Sequence, residues 1–110
     1  MRLPNADQAV VDIVKLRDYC LSATHPRGRH KARKFSSSLG MAAVDAADLR
    51  EAILEAVRLA EAVETDADQF GRRFVVDITL SYRGRTAGIR TAWIVRRGEG
   101  FPRLTSCYVM

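Results

Sequence analysis

A change of period near residue 73 narrows the fold more than any other feature. Upstream, apolar residues recur at spacings of three and four. Downstream, they recur at every second position. In FVVDITLSY, Phe74, Val76, Ile78, Leu80 and Tyr82 share one face, and Val75, Asp77, Thr79 and Ser81 share the other. Such alternation marks a strand with one buried face. Gly84 in RGR suits a hairpin turn. The next strand, TAGIRTAWIV, groups Ala87, Ile89, Thr91, Trp93 and Val95 against Gly88, Arg90, Ala92 and Ile94. After the turn RRGEGFP, the segment RLTSCYV groups Leu104, Ser106 and Tyr108, with Arg103, Thr105, Cys107 and Val109 opposite. The expectation is an antiparallel meander of at least three strands, with the apolar run QAVV near residue 10 adding an edge strand.

The helical period sets the first two thirds of the chain. Asp12 is the expected cap of a first helix that carries Ile13, Leu16 and Cys20 on one face and ends near Ser22. Pro26 bars a continuous helix through SATHPRG, and Gly28 eases a turn. A second helix is expected at about residues 30–39, with Ala32, Phe35, Ser36 and Leu39 on one stripe and Gly40 placed to end it. The third has Asp45 as N-cap, Asp48 in its first turn, and Val44 stapled to Leu49. Its apolar stripe is Leu49, Ala52, Ile53, Ala56, Val57, Ala60 and Val63, with Asp48, Glu51 and Glu55 pointing away. ETDADQFG then reads as a polar linker. At 110 residues the chain is expected to form one domain spanning 1–110, too short for a two-lobed enzyme. The predicted class is α+β, with two or three N-terminal helices packed on a C-terminal three- to four-stranded antiparallel sheet.

Charge is unevenly distributed along this frame. The net charge is +5, but residues 25–35, HPRGRHKARKF, hold five cations and two histidines with no acid. Residues 36–70 carry eight acids against two arginines, and residues 71–110 eight arginines against two acids. Two readings stay open. The acidic middle neutralises the basic parts, or the basic surface meets phosphate through counterion release.

Several chemistries find no support. His25 and His30, five apart without a neighbouring acid, make a poor metal site, and Cys20 and Cys107 show no metal-binding spacing. There is no glycine-rich phosphate loop and no GxSxG elbow. No cofactor is expected, and no apolar run approaches a membrane span. The two cysteines read as reduced thiols in a cytoplasmic chain.

What remains is oriented toward phosphate. Arg90, Arg103 and Thr105 are expected on the sheet face away from Trp93 and Tyr108. Guanidinium forks bind phosphate oxygens bidentately. A metal-free ribonuclease needs a base for the ribose 2′-OH, an acid for the leaving oxygen, and a cation for the phosphorane. His30 and Lys31 suit the proton transfers, since histidine works near neutral pH and like charge favours loss of a lysine proton. His25, Arg33, Arg90 and Arg103 suit phosphate binding, and Thr105 and Tyr108 suit orienting the reacting group. Each has a plain structural alternative: turn, core or solvated surface. Trp93 and Phe35 read as core.

The segments LPNADQAVVD, KLRDYCL, HPRGRHKARKF with LG after it, FVVD, RTAWIVRRG and PRLTSCYV span Leu3 to Val109. Together they resemble an uncharacterised bacterial domain family. The family occurs alone beside a small partner gene and at the C-terminal ends of polymorphic toxins and phage structural proteins. The order of helices and sheet is similar to the small RNase superfold of barnase, EndoU, colicin-type and RelE-type nucleases. The resemblance implies sites of His, Lys, Arg, Thr and Tyr beside the sheet, carried here by Lys31, Arg33, Arg90, Trp93, Arg103, Thr105 and Tyr108. It implies a metal-independent ribonuclease toxin acting on RNA, an acidic antitoxin or immunity partner, and delivery within a larger secreted toxin in relatives. A non-catalytic protein- or nucleic-acid-binding module is the alternative, and a homo-oligomer through the edge of the last strand is a third expectation.

Overall fold

A computed structural model describes residues 1–110. The chain opens with a short turn of 3-10 helix, Ala6–Gln8. It continues through α1 (Ile13–Lys15) directly into a π-helical stretch, Leu16–Cys20. Then follow α2 (Arg29–Leu39), a second 3-10 turn (Ala43–Asp45), α3 (Ala46–Ala56), and the strands β1 (Ala62–Asp68), β2 (Gly71–Tyr82), β3 (Arg85–Arg96) and β4 (Pro102–Val109). The strands form one antiparallel sheet in the order β1-β2-β3-β4. The helices cover one face. This is the expected α+β arrangement.

Local chemistry accounts for most boundaries. The Asp12 carboxylate accepts the Val14 N–H at 2.9 Å and starts α1. Gly40, at φ 69°, ends α2, with its N–H on the Ser36 carbonyl at 2.9 Å. Arg83 and Gly84 both have positive φ, which matches a tight β2–β3 hairpin to the twist of its strands.

The core lies between the helices and the inner sheet face. Phe35 and Leu39 of α2 and Leu49 and Ile53 of α3 meet Phe74, Val76, Ile89, Trp93 and Leu104. Buried Thr91 is the polar member of this core. It donates to the Val76 carbonyl at 2.6 Å and accepts the Trp93 indole N–H at 2.8 Å. No buried side-chain polar atom lacks a partner.

Four sequence expectations are corrected. ETDADQFG is no linker: most of it is β1, and Val63, placed on the helix stripe, is 62% exposed on that strand. The helical stripe stops with α3 at Ala56. The Val44–Leu49 staple does not form, because Val44 is exposed while Leu49 is buried. Asp45 does stand at the N-cap of α3, as expected, but its carboxylate accepts the Ala42 N–H of the preceding turn and no N–H of α3. The stretch near residue 10 contributes only one parallel bridge to β4, with Val10 bonded to Pro102 and Leu104. That bridge occupies the start of the β4 edge.

The fourth correction shapes the candidate site. Between β3 and β4 the register shifts: Ala92 faces Ser106 but Trp93 faces Leu104, so Thr105 is the extra residue of a β-bulge. Beyond it the alternation inverts. Cys107 and Val109 join Leu104 inside, and Ser106 and Tyr108 turn to the face of Ala92 and Arg90. Tyr108 therefore lies with Arg90, not with Trp93.

The acidic strand β1 is held by charge. Glu64 pairs with Arg72 at 2.8 Å and Asp68 with Arg73 at 2.6 Å. Arg72 holds Glu64 below the usual carboxylate range. The Phe70 N–H, then Arg73, does the same for Asp68. Unfolded carboxylates take up protons at about pH 4. The folded groups resist protonation to lower pH, so the unfolded state binds more protons and acid destabilises the fold. Urea midpoints are expected to hold above that pH and fall as it drops through the folded values. Midpoints that stay level through that range contradict the reading.

Candidate functional site

The site is assembled where the start of α2 crosses the edge of β4. The approach is close because residue 28 is glycine: a Cβ there would run into the Tyr19 carbonyl oxygen. His25 completes the junction. Its Nδ1 accepts the N–H groups of Arg27 and Gly28, both at 3.0 Å, so its ring proton sits on Nε2. His25 thus shapes the turn while keeping one outward donor.

Lys31, one turn into α2, is half-buried at the centre. Its Nζ donates to the Ser106 hydroxyl at 2.8 Å. It sits 5.0 Å from the Tyr19 ring centroid and 5.9 Å from that of Tyr108. Two of its three N–H donors remain for a ligand. The Tyr19 ring meets His25 edge-on at 4.7 Å. Two concavities flank this row. One, of about 350 Å³, is lined by His30, Lys31, Lys34, Tyr108 and Val109. The other, of about 430 Å³, includes Lys15, Tyr19, His25 and Thr105 in its lining. Thr105, on the bulge, bonds the Ala92 carbonyl at 3.1 Å.

Across the sheet, Tyr108 is the cross-strand neighbour of Arg90. The Arg90 guanidinium makes a bidentate pair with Asp77, at 2.8 and 2.9 Å. Asp77, then the Tyr108 hydroxyl, raise the Arg90 pKa, and Arg90 in turn holds Asp77 below the usual carboxylate range. The pair remains over two-fifths exposed on both sides, so an arriving phosphate competes directly with Asp77. Asp77→Asn is expected to free the Arg90 guanidinium for a phosphate polyanion, steepening the salt dependence of single-stranded oligonucleotide binding by about 0.7 in log–log slope. A fluorescence-anisotropy titration over a salt series checks this, and an unchanged slope means that the freed Arg90 does not meet phosphate.

Three expected residues thus converge on one concavity: His30, Lys31 and Tyr108. His25 and Thr105 line the adjoining one, and Arg90 sits beside Tyr108. Arg33 faces a different hollow on the far flank of α2. Arg103 is not brought in. It forms a bidentate pair with Glu99 at 2.9 Å, lies 5.0 Å from the Phe101 ring, and lines a small separate cleft with Arg96. Tyr19, Ser106 and Asp77 were not singled out by sequence. Tyr19 lies within KLRDYCL, one of the segments that carries the family resemblance, while Ser106 became visible only with the bulge. Cys20 and Cys107, each next to a site residue, meet as free thiols in the core behind it.

The two readings of charge separate by location. Of the eight arginines of residues 71–110, Arg72, Arg73, Arg90 and Arg103 pair with carboxylates and Arg83, Arg85, Arg96 and Arg97 do not, so there the acids neutralise only half of the charge. None of the five cations of residues 25–35 has a carboxylate within 4.0 Å. The α2 region stays an uncompensated positive surface, and the site sits on it. No helix is long and apolar enough to cross a membrane.

One family, described as a domain of unknown function (DUF6883), has a sequence model that matches residues 2–110. Neither a curated protein nor a solved structure matches the chain.

Proposed function

We propose that this chain, which belongs to the DUF6883 family, is a metal-independent endoribonuclease of toxin type. One observation carries the reading: Lys31 is fixed by Ser106 between two tyrosine rings on a helix whose cations have no acid partners. Such a lysine offers two free donors to a phosphodiester on a surface that attracts polyanions. His30 shares its concavity. In the proposed step the ribose 2′-oxygen attacks phosphorus, its proton passes to the His30 imidazole, and the bond to the 5′-oxygen breaks. Lys31 stabilises the phosphorane charge and protonates the leaving oxygen. The products are a 2′,3′-cyclic phosphate and a 5′-hydroxyl, and solvent restores both groups. Tyr108 and Thr105 orient the sugar and phosphate, and the Nε2 proton of His25 binds a neighbouring phosphate. The resemblance to toxin-borne domains supports a cytoplasmic RNA target and an acidic neutralising partner over α2.

A second reading is a non-catalytic RNA-binding module. The carboxylate pairing of Arg90 and Arg103 favours it, since no second cation then joins Lys31 to clamp a phosphorane, while the unpaired cations of α2 still attract RNA.

The test is incubation of the purified chain with total bacterial RNA in excess EDTA. Discrete fragments ending in cyclic phosphate are expected, and a chain carrying Lys31→Ala should leave the RNA intact. Salt-sensitive binding without product from either chain refutes the nuclease and leaves the binding module.

A further inference from the structure

On the flank of α2 away from Lys31 lies a second hollow, of about 430 Å³. Arg29 and Arg33 stand one turn apart on its helical wall, Ser36 and Ser37 continue that wall, and exposed Ala23 and Ala42 supply its apolar floor over buried Leu21 and Met41. Neighbours at i and i+4 project side by side. Neither guanidinium has a carboxylate partner, and no acid lines the hollow. Arg85 of β3 reaches the Ser37 carbonyl at 3.5 Å and brings a third cation to the rim.

Two adjacent guanidinium forks suit the oxygens of one phosphate, and the Ser36 hydroxyl extends the donor set, while that of Ser37 donates to the Lys34 carbonyl. The apolar floor suits the flat face of a base or the sugar, and the volume lies in the range of small-ligand sites. A carboxylate ligand would use the forks but leave that floor bare. An isolated inorganic phosphate would do the same.

We infer that this hollow is a nucleotide subsite of the RNA surface. Arg29 and Arg33 hold one phosphate, while Ala23 and Ala42, backed by Leu21 and Met41, support its nucleoside. The inference rests on the RNA reading of the Lys31 site, because it extends the strand over α2: one phosphate at Lys31, a flanking nucleotide on the opposite flank. It adds specificity of position, not a second reaction.

The experiment titrates the full chain with adenosine 5′-monophosphate, adenosine, inorganic phosphate and a short single-stranded RNA, reading amide shifts by NMR and affinity by calorimetry. The mononucleotide is expected to shift the amides of Leu21, Arg29, Arg33 and Met41. It should bind more tightly than either adenosine or phosphate. Loss of two charged hydrogen-bonding groups in Arg29→Ala/Arg33→Ala should weaken the mononucleotide and the RNA by about tenfold or more. Arg58→Ala, which removes an exposed cation that lines none of these concavities, should leave the mononucleotide affinity unchanged.

Mononucleotide shifts confined to His30, Lys31 and Tyr108 overturn the inference. So does RNA affinity unchanged by the double substitution, which would mark a site for free nucleotides only. Inorganic phosphate binding as tightly as the mononucleotide also overturns it, because the floor then contributes nothing. These results are separable from the nuclease reading. A working subsite on a chain that never cleaves RNA sinks the catalytic proposal alone, and cleavage whose KM for RNA is unmoved by the double substitution sinks the subsite alone.

Discussion

Gly28→Ala is expected to lower the urea midpoint sharply, by the equivalent of about 3 kcal/mol, at the upper end of overpacking costs. The backbone at Gly28 is ordinary, with φ −83°, so the cost is steric and not conformational. The added methyl meets the Tyr19 carbonyl oxygen, which belongs to the main chain of the π-helical stretch and cannot rotate away. Relief requires the start of α2 to move off that stretch. The same movement breaks the two His25 bonds to Arg27 and Gly28 and draws Lys31 away from Tyr19. A loss of that size is a large share of the roughly 5–15 kcal/mol a domain holds. Gly100→Ala is the control, because nothing lies within 4 Å of a Cβ there. Circular dichroism in urea on both variants decides the point. Equal midpoints would mean that α2 does not depend on this approach.

That dependence also explains what was legible in the sequence. Where an element buries one face and solvates the other, composition records the fact. The alternation of β2 and β3 and the stripe of α2 are therefore readable without coordinates. Strand β1 leaves no such record. Six of its seven residues are exposed, and its place is fixed by Arg72 and Arg73 on the neighbouring strand rather than by apolar burial. A charged edge strand and a polar linker have the same local composition. Only the partner distinguishes them.

The candidate site was partly legible for a related reason. The basic character of residues 25–35 is a property of sequence. That none of its five cations meets a carboxylate is a property of the fold, and it sets α2 apart from the sheet, where half of the arginines are paired. The grouping of Lys31 with Tyr108 depended on Thr105. Strict alternation put Tyr108 on the inner face, and one extra residue in β4 turned it outward beside Arg90. The bulge leaves only a faint signal, the odd spacing of Leu104 and Cys107, both buried three positions apart, which strict alternation reads as opposite faces. Arg103 shows the converse. Its residue type suggested phosphate binding, but Glu99, four positions earlier, already occupies its fork.

Lys31→Ala is expected to reduce RNA cleavage by about 10³-fold, mainly in kcat, combining the magnitudes for one transition-state charge and one proton donor. Affinity should fall only modestly, because Arg27, Arg29, Arg33 and Lys34 still supply the field. Two companion variants separate catalysis from attraction. Lys31→Met keeps the length and packing of the stem between Tyr19 and Tyr108 but removes the charge. It should be as inactive as Lys31→Ala while folding like the wild type. Lys31→Arg keeps the charge but replaces a compact ammonium with a planar fork, which does not reproduce the single short bond to Ser106. It should bind RNA as the wild type does and yet recover little turnover. If Lys31→Arg restores cleavage fully, the role of Lys31 is general attraction and the positioned-lysine mechanism fails. If none of the three changes alters cleavage while the wild type cuts RNA, the scissile phosphate lies elsewhere on the surface. The Lys31 row would then be a binding element only.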